Sequence, residues 1–162
     1  MTDVILWVED NPEDKLLDFI SLTITKTGCK PVSVKGVAQL ANELNTLKEE
    51  EKKIRGIILD MMLYGSDDLS AFDYSEVKIS RATSINMGEL LLKYVFRNTL
   101  KDDKNIWWSN LTKDVPVLIL SVRPDLNPYQ FKDYGEKIDI IHKYEYERDS
   151  WKDDVINWIK RL

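Results

Sequence analysis

Cysteine and histidine are almost missing from this 162-residue sequence: Cys29 is its one thiol and His142 its one imidazole. An intramolecular disulfide and a Cys/His zinc cage are both excluded, and the cytoplasm is the expected compartment. Long apolar runs are missing too. No segment approaches the roughly 18 consecutive apolar residues of a membrane span. Near the N-terminus stand Asp3, Glu9 and Asp10 instead of a basic stretch followed by an apolar one, which speaks against secretion and membrane anchoring. A surplus of positive charge is the third absence: 23 Lys and Arg face 28 Asp and Glu, for a net charge of −5. A sequence-independent grip on nucleic acid needs clustered cations, and here they are scattered, so no nucleic-acid partner is expected. With 6 glycines and 5 prolines there is no Pro/Gly-rich boundary, and the chain shows no repeat or low-complexity tract.

What remains is an ordinary globular composition, 43% hydrophobic and 31% charged, at a length that favours one domain over residues 1–162. Four short runs rich in Ile, Val and Leu, at 4–8, 56–59, 117–120 and 138–141, lack polar alternation and fit strands buried on both faces. Residues 30–34 form a weaker fifth candidate. Helical patterns lie between. The first begins with Asn11 as cap and Pro12 in the first turn, and it stops at Gly28. The second covers about 37–50, with Val37, Leu40, Leu44 and Leu47 on one stripe. The third covers about 87–100. The last follows a capping Asp149 or Ser150 and puts Trp151, Val155, Trp158, Ile159 and Leu162 on one face. Strands alternating with helices imply right-handed crossovers and an open, doubly wound α/β sheet, whose chemistry gathers beyond the carboxyl ends of the strands.

Those ends carry Glu9 and Asp10, Asp60, Ser121, and the pair His142 and Lys143. If they converge, three carboxylates meet. At roughly 4 Å each like-charge pair costs about 1 kcal/mol in water and about 4 kcal/mol at an intermediate dielectric. A hard divalent cation such as Mg²⁺ offsets that cost, since it takes one or two carboxylates together with water and phosphate oxygens. Lys143 adds a point charge. An aspartate beside such a metal and a lysine can attack phosphorus, with Ser121 hydrogen-bonding a phosphoryl oxygen.

The segments at 4–11, 56–65, 115–121 and 140–143 together resemble the receiver domain of two-component response regulators, over nearly the whole chain. The resemblance implies a flavodoxin-like, five-stranded parallel sheet in the order 2-1-3-4-5, with helices on both faces. It also implies that Glu9 and Asp10 are the acidic metal-binding pair, Asp60 the phosphoacceptor and Met62 a Mg²⁺ ligand through its backbone carbonyl. Ser121 is then the switch hydroxyl, and Lys143 the lysine that contacts the phosphoryl group. A histidine kinase or phosphotransfer protein is the implied donor. With no residues left for an output domain after the last helix, a downstream protein effector is the implied reader.

The sequence departs from the family pattern at four places. Tyr144 stands where proline usually follows the lysine, Ile140 replaces the usual switching aromatic, and Val122 replaces a small residue next to the hydroxyl. Residues 65–86, which include Asp67, Asp68, Asp73, Glu76, Lys78 and Arg81, form an insert with no counterpart in the family. The insert emerges beside Asp60 and is read as a lid, a partner surface or disorder. These departures keep a second function open, a degenerate receiver-like module that binds proteins without phosphorylation. An aspartate-nucleophile phosphatase is disfavoured because Met62 takes the place of its general acid. A nucleotide or flavin fold lacks the glycine-rich loop after strand one. Trp107 and Trp108 are expected to plug the gap below the third helix in preference to anchoring a partner, Trp7 to be core, and His142 to be a strand-end side chain. Cys29 is expected half-buried and Glu49 to Glu51 solvated.

Overall fold

The computed structural model describes residues 2–12, 14–63, 69–72, 83–97, 106–143 and 150–162. Five strands, β1 (Val4–Val8), β2 (Lys30–Val34), β3 (Ile54–Leu59), β4 (Val117–Ser121) and β5 (Ile138–His142), pair in parallel in the order β2-β1-β3-β4-β5. This is the doubly wound sheet expected from the runs. The central strands β1 and β4 are buried along their whole length, and β3 everywhere but Arg55. The outer strands β2 and β5 are only partly covered, so the expectation of strands buried on both faces fails for residues 138–141. Asp139 is exposed on that edge, where a charge discourages pairing with another chain.

Alternation along β1 divides the core. Val4, Leu6 and Val8 point into one layer, with Leu40, Leu44 and Leu47 of α2 (Val37–Glu49) and Leu91 of α3 (Thr83–Leu91). Ile5 and Trp7 point into the other, with Ile20 and Ile24 of α1 (Asp14–Lys26) and Val155, Trp158 and Ile159 of α5 (Ser150–Lys160). Trp7 is fully buried, as its neighbours imply. Trp151 and Leu162 pack at the margin of the same layer, so the apolar face read from the last helix is the buried one.

Two helix starts differ from the sequence pattern. Helix α1 is described from Asp14, with Asn11 and Pro12 outside its range. Helix α3 starts at Thr83, four residues before Met87, and from Leu92 to Phe96 it relaxes into a π-helical turn. The π turn has a visible partner: the Val95 carbonyl accepts the Trp108 indole N–H at 3.0 Å. Trp108 is buried and stacks edge-on against Phe72 and Trp107, at centroid separations of 4.9 and 5.3 Å. It plugs the space below α3, just ahead of the short helix α4 (Ser109–Thr112). Phe72 belongs to a 3₁₀ turn at Ser70–Phe72, and with Leu69 it is buried in this layer, so part of the region read as an insert is core. The residues 65–68 and 73–82 lie outside the described set, and with them Asp67, Asp68, Asp73, Glu76, Lys78 and Arg81; Tyr144 and Asp149 do as well.

The connection from β4 to β5 is a 3₁₀ helix, Pro128–Tyr134. Asn127 closes it with a reciprocal capping box to Gln130, and Phe131 and Leu126 anchor it in the core.

Candidate metal and phosphoryl site

Each acid sits where a strand's ladder runs out. The Glu9 N–H donates to the Val34 carbonyl at 3.0 Å and the Asp60 N–H to the Val8 carbonyl at 3.0 Å, which holds both residues level at the edge of the sheet. Parallel pairing of Val8 with Leu59 makes the residues that follow, Glu9 and Asp60, neighbours. With Asp10 they form a group in which one carboxylate oxygen from each residue lies within 4.8 Å of the other two. Glu9 and Asp60 are buried, and Asp10 is half-buried. At an effective dielectric of about 20, two charges at such a separation repel by about 3 kcal/mol.

Lys143 answers Glu9 directly. The Lys143 ammonium donates to Glu9 Oε2 at 3.0 Å, with the two side chains 13% and 7% exposed. Its backbone N–H is held by the Ser121 carbonyl at 2.8 Å, which carries the end of β5 to the end of β4. Burial pushes the Glu9 carboxyl up to about 7; the Lys143 charge opposes this, while the charge of Asp60 and a hydrogen bond with it add to it.

Asp60 also accepts from the Met62 N–H at 3.4 Å, which turns the chain sharply after β3. Gly88 of α3 closes on this turn, donating its N–H to the Met61 carbonyl at 3.0 Å. A Cβ at Gly88 would collide with the Asp60 carbonyl oxygen and lie 2.7 Å from the Met61 Cα. Glycine at 88 is therefore what lets α3 brace the acid. That role escaped the sequence reading, although a lone glycine inside a helical pattern is the signal of close backbone approach.

Ser121 is fully buried at the end of β4, and its Oγ accepts from the Arg123 N–H at 3.3 Å. The pairing of Leu59 with Ile119 puts Ser121 two residues further along β4, beside the strand end that carries Asp60. Arg123 was also missed. Its guanidinium clasps Asp125 through two bonds of 3.1 and 2.5 Å, and its carbonyl meets His142 Nδ1 at 3.0 Å, so the ends of β4 and β5 are tied together. His142 is a strand-end side chain, as expected. Val122 stands 41% exposed at the rim, and Ile140 packs against the core.

A hard-oxygen donor set of this kind fits Mg²⁺ better than a thiolate- or imidazole-seeking ion. Glu9, Asp10 and Asp60 are placed to hold it.

Comparison with solved structures places the fold. The chain superposes on the signal receiver domain of a putative Luxo repressor protein from Vibrio parahaemolyticus with a TM-score of 0.52 and 15% identity, covering 99% of this chain and 92% of that one. The phosphorylated cyanobacterial phytochrome response regulator RcpA gives a TM-score of 0.50 at 15% identity, with 99% and 91% covered. NtrX from Brucella abortus gives 0.51 at 16% identity, and the match occupies 28% of that longer chain. No family model matches the sequence, and no curated protein does. The chain has the receiver-domain fold of response regulators. No helix among the described residues is long and apolar enough to cross a membrane.

Proposed function

We propose that this chain is a response-regulator receiver that accepts a phosphoryl group on Asp60 in a Mg²⁺-dependent reaction and signals through protein contacts. The observation that carries the reading is the convergence of Glu9, Asp10 and Asp60 within 4.8 Å at the carboxyl edge of the sheet, with Lys143 3.0 Å from Glu9. In this reading Glu9, Asp10, Asp60 and the Met62 backbone carbonyl hold Mg²⁺. When bound, the metal neutralises charge on the transferring group.

The remaining chemistry belongs to the chain. A carboxylate oxygen of Asp60 attacks phosphorus while the bond to the donor's imidazole nitrogen breaks, and the imidazole leaves with the electron pair and takes up a proton. Lys143 releases Glu9 to neutralise a phosphoryl oxygen, and the Ser121 hydroxyl donates to another. An acyl phosphate carries roughly two negative charges where the carboxylate carried one, and its three phosphoryl oxygens bias the loops that carry Ser121 and Lys143 between two arrangements. The donor is a histidine kinase or phosphotransfer protein, and the reader a downstream protein effector. RcpA, which shares the fold, is a phosphorylated response regulator.

Incubation with a small phosphoramidate donor and Mg²⁺, followed by intact-mass analysis, tests the reading. One phosphoryl addition, lost in Asp60→Asn and in EDTA, is expected; no addition, or an addition that survives Asp60→Asn, refutes it. A second reading, a phosphorylation-independent binding module on the same fold, is favoured by Ile140, which packs into the core and offers no ring to swing. That reading predicts no labelling and a melting curve indifferent to millimolar Mg²⁺.

A further inference from the structure

At the opposite end of the sheet, where β3 and β4 begin, lies a groove of about 460 Å³. Ile54, Leu111, Val115, Pro116 and Leu162 contribute apolar surface to it, and Lys52, Lys53, Arg55, Asn110 and Asp114 the polar groups. Its volume falls within the range of small-molecule sites. Its charge runs against the molecule: in a chain of net charge −5, three cations here face one acid. Arg55 is already committed, to Asp3 at 3.1 Å and to the Leu162 carbonyl at 2.5 Å. The ammonium groups of Lys52 and Lys53 have no hydrogen-bond or ionic partner among the described residues, nor has the Asn110 amide.

The walls are held in place. Arg97 donates to the Thr112 carbonyl at 3.1 Å and to the Val115 carbonyl at 2.8 Å, which braces the wall formed by Leu111 to Val115. The other wall is the start of β3, joined to the neighbouring strands through the Lys53 and Pro116 carbonyls.

We propose that this groove binds a small amphiphilic organic anion, its apolar body on Leu111, Val115 and Pro116 and its phosphate, sulfonate or carboxylate head between Lys52 and Lys53. The two ammonium groups and the Asn110 amide supply donors for the head, and Ile54, Val115 and Pro116 supply apolar surface for the body. The site is separate from the acid cluster, which the same anion would find repulsive.

The full-length chain at neutral pH is titrated with 8-anilinonaphthalene-1-sulfonate, an anion of this shape. Saturable fluorescence enhancement with a dissociation constant of roughly 10–100 µM is expected. The Lys52→Glu/Lys53→Glu variant, with a circular-dichroism melt to verify its fold, should weaken binding about tenfold or more, and Lys52→Gln/Lys53→Gln less. Uncharged N-phenyl-1-naphthylamine should bind more weakly than the sulfonate. Amide shifts on titration should centre on residues 52–55 and 110–116. No saturable binding up to about 1 mM, equal affinity in the charge-reversed variant, or shifts centred elsewhere overturns the proposal.

Discussion

Glu9 lies between a cation and an acid with almost no water around it, and burial lifts its pKa to about 7. The ordinary value is 4.5, so between these limits the folded protein keeps a proton that the unfolded chain has lost. Stability must then fall as pH rises through that window. We expect metal-free protein in EDTA to lose on the order of 2 kcal/mol between about pH 5 and pH 8, measured by urea unfolding. Glu9→Gln should flatten the profile, and stability rising across the same window would contradict the assignment. Saturating Mg²⁺ should abolish the loss, because a bound cation favours the ionised acid. Glu9, Asp10, Asp60, Ser121 and Lys143 were legible because each lies at or within two residues of the end of an apolar run, and pairing registers strands by their ends. Arg123 was not legible, because its clasp on Asp125 and its contact with His142 depend on how the β4–β5 connection folds back.

Helix α2 ends with Glu51 at φ 56°, in the left-handed region that favours glycine. The Lys52 N–H reaches the Leu47 carbonyl at 2.9 Å and the Glu51 N–H the Lys48 carbonyl at 3.1 Å, the two bonds of a Schellman turn. Glu51→Gly should therefore stabilise the protein by about 0.5–1 kcal/mol in chemical denaturation, and a loss would show that Glu51 makes compensating contacts. Within α3 the sign reverses. Gly88→Ala pushes a methyl into the Asp60 backbone and should cost about 2 kcal/mol or more while weakening Mg²⁺ binding; a stabilised variant with unchanged affinity would rule out the bracing role. Trp108→Phe, which leaves Val95 without the indole N–H, should cost about 1–2 kcal/mol in urea unfolding. Helix periodicity located α2 and α5 closely. It placed α3 too late and did not foresee the π turn, because that turn answers to Trp108, a partner 13 residues away in sequence.

Taken whole, the molecule is a parallel sheet with an acid-lined end and a base-lined end, separated by the length of its strands. The doubly wound sheet and the convergence of the acids follow from which residues are apolar and where each run stops, while the strand order was implied by the family resemblance. The partial cover of β5 does not, since an apolar pattern marks a strand as buried without saying how much crosses over it. In place of a longer helix, the chain between β4 and β5 folds as Pro128–Tyr134. Tyr129 is left 84% exposed on it.

Ligand linkage gives the account its global handle: at about ten times its dissociation constant, a cation that binds only the folded state adds about 1.4 kcal/mol. For a chain of this size that is a rise of roughly 3–6 °C in Tm. Calorimetric titration of the protein with Mg²⁺ tests the central claim most directly. One saturable site, lost in Asp10→Asn and in Asp60→Asn while both variants stay folded, is the result the account predicts. Absence of saturable heat at millimolar Mg²⁺, or affinity unaltered by either substitution, would contradict it.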